Sequence, residues 1–576
     1  MLNNGDTKRE FKVGTAKVRG LGSFHKTLPH NKWGEVDEAE FDALVAATEG
    51  DGSGFAIVQK GTPDAAAFTN PQGGLASDRL TQYPGSYTMP PAPKVLSTTT
   101  AAEMTELYWM ALLRDVPFDQ FDANPSVATA ATEIDARFRQ AIGDAGDAGH
   151  LTTGSDVPGS MGDLAPITPQ NLFRLGLPGE EIGPLVSQFF IRDIHYGTQR
   201  IDQMQLPYKK QRDYLTGFAD WLHAQSSGKD DKGQAYPRSN EDGATNFETN
   251  RRYISTPRDL ARFVNKDALH QAYFNAALLM LSGGAKWTPG NPYGDGGRLQ
   301  PREAGFGVLG GPHILALVSE VATRALKVVW NQKWQVHLRL RPEAYGGLVH
   351  VQNIGIGGAN GKRPYGLPSW VGKTDAAKAV RKEHHSVLLP MAFTPGSPTH
   401  PAYGAGHATV AGICVTVLKA YFKTFTTTTQ GKDIPVLFNT LTERDEPYGD
   451  GQPIRSYITG VMAGPDGDEG TRTALPKSLA DKLTIEGELN KLAMNVAMGR
   501  SIGGVHWRTD NTRSLILGEA LAARVLADIT TDANEKPTFE FRSFSRRMDG
   551  DPKKVEIKQG RVYVDGVLVD TNSSAL

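Results

Sequence analysis

The chain has 576 residues, 39% hydrophobic and 22% charged, with 62 Lys+Arg against 63 Asp+Glu and a formal charge of −1. That balance provides no global field for nucleic acid or an anionic membrane, so any anion site must be a local cluster. Cys414 is the single cysteine, which excludes an intramolecular disulfide framework, cysteine-rich zinc modules and cysteine-ligated iron–sulfur clusters.

The first twenty residues are polar and hold no apolar leader core, so the default expectation is a cytoplasmic protein, with localisation left open. No stretch approaches the roughly 18–20 uninterrupted apolar residues of a membrane span, since Ile314–Trp330 carries Glu320, Arg324 and Lys327. Residues 1–100 are punctuated by Gly and Pro and read as an irregular wrapping segment with short helices such as Glu38–Thr48. From Ala101 to about residue 535, apolar residues recur at three- and four-residue spacing, which predicts a helical core. The runs are 101–116, 131–143, 184–194, 210–225, Pro257–Leu281, Pro312–Leu340, His407–Lys423, Lys477–Met498 and Asp510–Thr530. The tail, 536–576, alternates apolar and polar residues around Gly560 and Asp565-Gly566, which predicts a small β-hairpin. The class is mainly α: a helical-bundle core with long loops and that hairpin.

Three segments concentrate chemistry. In the first, Pro342 should end the helix carrying Lys333 just before Arg341, bringing both cations to one end of it. An ordinary basic helix terminus would serve the macrodipole in the same way. In the second, Gly404-Ala405-Gly406 makes a permissive turn into a helix, aiming free N–H groups outward, with His407 at its mouth and His400 before it. In the third, Gly503-Gly504 can fold His506 back towards Arg500, and Asp510 is placed to cap the next helix and hold one imidazole nitrogen. Together these supply three positive charges, an N–H-lined turn and histidines, a set suited to an oxyanion. A serine nucleophile in the turn is excluded, because position 405 is Ala; no HExxH zinc motif occurs.

Lys333–Pro342 (K-x7-R-P), Ser397–Thr409 (SPTHPAYGAGHAT) and Arg500–Asp510 (R-S-x-x-G-x-H-x-x-x-D) resemble, in order and spacing, the vanadate-site motifs of the vanadium-dependent haloperoxidases. The match is closest to the bromoperoxidases of red algae and their bacterial and cyanobacterial relatives, within the superfamily of the type-2 phosphatidic acid phosphatases. The resemblance implies two four-helix bundles and vanadate-dependent oxidation of bromide, iodide or chloride by hydrogen peroxide to hypohalous acid, which halogenates small organic acceptors. It implies His506 as the vanadium ligand, with Lys333, Arg341, Arg500 and the Gly406 N–H on the vanadate oxygens. His407 becomes the acid/base, and His400 a second histidine near the site. An acid phosphatase using the same cradle is the alternative, and an inactive shell protein is a third reading. The resemblance further implies a homo-oligomer, from a dimer up to a dodecamer. One departure stands out: relatives usually carry Ser where this chain has Ala405, so one hydroxyl donor is missing. Trp330 and His337 are expected on the helix face of Lys333, with Trp330 as an apolar wall or as plain core packing. Calcium at acidic residues such as Asp466, Asp468 and Glu469 is left open, with no ligands assigned.

Overall fold

The computed structural model describes residues 3–78, 86–144, 166–235, 246–357, 361–442, 453–460, 470–547 and 549–570. Asp466, Asp468 and Glu469 lie outside them. The helices in chain order are α1 (Glu38–Glu49), α2 (Thr98–Leu112), α3 (Pro125–Gly143), α4 (Phe218–Ser227), α5 (Pro257–Lys266), α6 (Gln271–Ser282) and α7 (Gly311–Asn331). They continue with α8 (Pro342–Asn353), α9 (Asp375–His384), α10 (Gly406–Tyr421), α11 (Lys477–Ala480), α12 (Ile485–Ile502) and α13 (Arg508–Asp532).

Helix α10 is the centre of the fold and packs on α7, α12 and α13. Its sequence explains the position: fifteen of its sixteen residues are buried, so it has no solvent face. Helix α12 is buried along its whole length and joins this group to α2 and α5, while α2 packs on α3 and α9. Helix α7 instead buries one stripe, Ile314, Leu317, Val318, Val321, Ala325 and Val328, at helical spacing. Where α10 crosses α13, Gly412 meets Gly518 backbone to backbone. A Cβ at Gly412 would lie 2.3 Å from the Leu515 carbonyl oxygen, so only glycine permits this approach. No helix among the described residues is long and apolar enough to cross a membrane.

Several expectations need correction. The run 184–194 is not a helix; it holds only a 3-10 turn at Gln188–Phe190. Its backbone is held by tertiary bonds instead: Ser187 N–H donates to Asn495 Oδ1 (2.8 Å) and Gln188 N–H to Glu488 Oε2 (2.7 Å). The single runs at 257–281 and 477–498 each divide, at Asp267 and at Thr484, which caps α12 through the Gly487 N–H. Helices α8 and α9 form in the stretch between Leu340 and His407, for which no helix is predicted. The expected hairpin is part of a four-stranded antiparallel sheet; its strands Phe539–Arg546, Pro552–Lys558, Arg561–Val564 and Val567–Val569 run in sequence order across it, with Phe539 and Phe541 buried.

Candidate oxyanion site

The site lies where the C-terminal end of α7, the N-terminus of α10 and the turn from α12 into α13 converge. Helix α7 passes into a π-turn at Gln332–His337, closed by an N–H···O bond from Leu338 to the Lys333 carbonyl (3.0 Å). Leu338 then takes the left-handed conformation (φ 46°), earlier than the expected helix end at Leu340. The wider turn rotates the residues after Lys333. Trp330 still faces Lys333, its ring centroid 5.5 Å from Nζ, but His337 is carried away and packs edge-on against Tyr403 at 4.7 Å. A local π-turn at a functional residue is a recurrent device.

Lys333 is fully buried and donates to the carbonyl oxygens of Pro401 (2.9 Å) and Ala402 (3.0 Å). Burial, and then the nearby Arg341, pull its pKa well below the ordinary lysine value, and Arg500 acts in the same direction. Arg341 is the most connected group. Its Nε donates to the His400 carbonyl (2.9 Å), Nη1 to the Val505 carbonyl (2.6 Å), and Nη2 to His400 Nδ1 (2.9 Å). Nη1 also lies 3.1 Å from His506 Nε2. A guanidinium has no lone pair to offer, so His506 Nε2 must accept; His400 Nδ1 lies between the guanidinium and the Pro401 carbonyl oxygen, at 3.2 Å from the latter.

That fixes the tautomer of His506. His506 Nδ1 is 2.9 Å from Asp510 Oδ2, so it carries the proton and leaves the Nε2 lone pair facing Arg341. His506 is buried; desolvation first, then Arg341, Lys333 and Arg500, hold its pKa well below that of a free histidine. It is therefore neutral at pH 7 and has a lone pair to donate. Asp510 is held in turn: Oδ2 accepts the Trp507 N–H (3.0 Å) as the cap of α13, and Oδ1 accepts from Arg339 (2.6 Å). Arg339 donates also to Glu103 on α2 (2.8 Å), and Glu103 accepts the Thr509 N–H and hydroxyl (2.7 Å each).

Arg500 donates to the Val264 carbonyl (2.9 Å) and His407 Nε2 lies 3.1 Å from Asp267 Oδ1, so the C-terminal end of α5 borders the site on two sides. The break at Asp267 puts that carboxylate there. Gly406 is N1 of α10, and a Cβ on it would lie 3.1 Å from the Trp330 ring. The same ring is 4.9 Å from that of His400. Ala405 is buried and its N–H donates to Ser514 Oγ (2.8 Å).

The structure thus brings Lys333, Arg341, Arg500, Gly406, His400, His407 and His506 together. Sequence reasoning missed Arg339, Glu103 and Asp267. Arg339 was within reach, lying two residues before Arg341; Glu103 and Asp267 look like any helix carboxylates. Converging cations, a helix N-terminus and one imidazole lone pair make a donor set that fits a tetrahedral or bipyramidal oxyanion.

Three comparisons bear on the chain. A family model described as the VCPO second helical-bundle domain matches residues 313–535. Vanadium-dependent bromoperoxidases of Corallina pilulifera (31% identical, covering 91% of this chain and 90% of that protein) and Ascophyllum nodosum (33%, 94% and 87%) are similar to it. A solved structure of the second vanadate-dependent bromoperoxidase of Ascophyllum nodosum, a homohexamer, superposes with a TM-score of 0.72 at 29% identity. It covers 99% of this chain and 88% of that one.

Proposed function

The chain belongs to the vanadium-dependent haloperoxidases, enzymes of vanadate-dependent halide oxidation by peroxide, and on that premise we propose bromide and iodide as its halides and His506 as its vanadium ligand. The observation that carries the assignment is the lone pair of His506 Nε2, aimed into a cluster of three cations by the bond from Nδ1 to Asp510. Bound vanadate would supply Lewis acidity for the activation of hydrogen peroxide towards halide, with no change in its own oxidation state. The residues of this chain do the rest. Lys333, Arg341 and Arg500 neutralise the oxyanion and, with the Gly406 N–H, hold its oxygens. His407, partly exposed and paired with Asp267, takes the proton that hydrogen peroxide gives up on binding. Trp330 walls the pocket and keeps water from Lys333 and His400.

Bromination of monochlorodimedone by the vanadate-reconstituted protein tests the reading. Absence of turnover from about pH 5 to 8, where an imidazole titrates, together with turnover of p-nitrophenyl phosphate, overturns it in favour of the phosphatase. The homohexameric relative supports a homo-oligomer here. A species of 62.3 kDa by light scattering would refute that assembly.

A further inference from the structure

Arg341 and His400 sit on a loop-to-helix junction that is pinned from behind by a residue of the N-terminal wrap. Lys26 is buried, and its ammonium group has three acceptors: Glu343 Oε1 (2.5 Å), the Pro395 carbonyl (2.7 Å) and the Ser397 carbonyl (2.8 Å). Glu343, in the first turn of α8, accepts the Ser397 N–H on Oε2 (2.5 Å) and Gln225 Nε2 on Oε1 (3.0 Å). The loop is shaped for that carboxylate. Gly396 is left-handed (φ 69°), and a Cβ on it would lie 2.0 Å from Glu343 Oε2. The far end of the same loop is tied by Arg341 to the His400 carbonyl and by Lys333 to the carbonyls of Pro401 and Ala402.

We propose that Lys26 is a positioning residue for the oxyanion cradle. Its ammonium joins Glu343, two residues beyond Arg341, to the backbone of Pro395 and Ser397, and so fixes the segment that carries His400. The inference rests on the vanadate reading of the site. Without Lys26, the Pro395 and Ser397 carbonyls lose their donor, and a buried carboxylate is left uncompensated two residues from the cradle guanidinium. Arg341 is then drawn towards Glu343 and away from the oxyanion.

The test is vanadate titration by calorimetry of the full-length protein. Lys26→Met should weaken binding by about tenfold or more, the scale on which supporting groups act on a metal site. Lys26→Arg, which keeps charge and donors, should recover most of that loss. The double variant Lys26→Met/Glu343→Gln leaves no charge uncompensated, so it takes the place of Lys26→Met should that variant fail to fold. Its binding should still fall several-fold, because the loop tether is gone. If the parent binds vanadate and a folded Lys26→Met or double variant binds equally well, Lys26 is merely structural and the inference falls. If the parent itself binds no vanadate, it is the cofactor reading that fails.

Discussion

Asp510 Oδ2 lies 2.9 Å from His506 Nδ1, while the other oxygen of the same carboxylate is held 2.6 Å from Arg339. The carboxylate cannot turn without breaking both bonds. Asp510→Asn cannot serve every neighbour: Arg339 requires an oxygen at the δ1 position, and an amide NH2 at the δ2 position then faces both the Trp507 N–H and the imidazole. Nδ1–H loses its acceptor, and the alternative tautomer sets an Nε2 proton against the Arg341 guanidinium, so no tautomer of His506 satisfies both neighbours and the Nε2 lone pair is no longer held towards the cradle. Vanadate affinity should drop by roughly 10–100-fold, the range for a group that orients a metal ligand. Unchanged affinity in calorimetry would show that the tautomer does not matter.

The three histidines separate by role. His506→Ala should abolish tight vanadate binding, since no remaining side chain supplies the lone pair. His407→Ala should keep vanadate but lose most turnover, because Lys333, Arg341 and Arg500 still neutralise the oxyanion. His400→Ala should shift the pH profile or halide preference more than cofactor affinity. Its Nδ1 lies 2.9 Å from Arg341 Nη2 and its ring faces Trp330. Vanadate affinity that survives in His506→Ala and collapses in His407→Ala would reverse the assignment.

Ala405 offers the opposite experiment, a gain. Its Cβ is buried, and its N–H is already used by Ser514. Ala405→Ser adds only a hydroxyl beside a set of cationic donors. One hydrogen bond to a charged group is worth on the order of 1.5–3 kcal/mol, so vanadate should bind tenfold tighter or better, each factor of ten being about 1.4 kcal/mol. Equal affinities would place the residue 405 side chain away from the bound oxyanion.

Trp330 touches three parts of the site at once: Lys333, His400 and Gly406. Its indole N–H is held by the Thr69 carbonyl (3.2 Å), so the ring cannot readily rotate out of the pocket. Trp330→Arg should replace an apolar wall by a hydrated cation and change the ratio of bromide to iodide and chloride oxidation. An unchanged ratio removes Trp330 from the halide pocket.

What was legible in the sequence was local. Lys333 with Arg341, Gly404-Ala405-Gly406 with His407, and Gly503-Gly504 with His506 are short clusters in which turn residues and charged groups signal each other. The supporting carboxylates gave no such signal, because Glu103 and Asp267 reach the site only through the packing of α2 and α5 against α12. Periodicity failed for similar reasons. Ser187 and Gln188 have helix-like apolar neighbours, yet their N–H groups are claimed by Asn495 and Glu488 some 300 residues later. Counting four residues on from Lys333 failed at His337, because a π-turn has more than 3.6 residues.

Beside Lys26 on the N-terminal wrap, a second imidazole cluster predicts how the fold responds to acid. His25 Nδ1 lies 2.8 Å from His30 Nε2, and His30 Nδ1 lies 3.3 Å from Ser226 Oγ. Burial lowers the His25 pKa to about 4, and burial, then the neighbouring His25, holds that of His30 well below the ordinary histidine value. In the unfolded chain both would protonate near pH 6.5, the unperturbed value. Below that pH the unfolded state holds protons that the folded state refuses. The stability contributed by the pair is therefore complete above about pH 6.5 and is lost as pH falls towards 4. Each such imidazole adds a slope of about 1.4 kcal/mol per pH unit. His25→Gln keeps a hydrogen-bonding group but removes one proton from that balance. Urea unfolding at several pH values between 6.5 and 4.5 should show stability falling less steeply in the variant, by about one proton's worth. Parallel pH profiles for parent and variant would mean that His25 is already solvated and titrates freely in the folded protein.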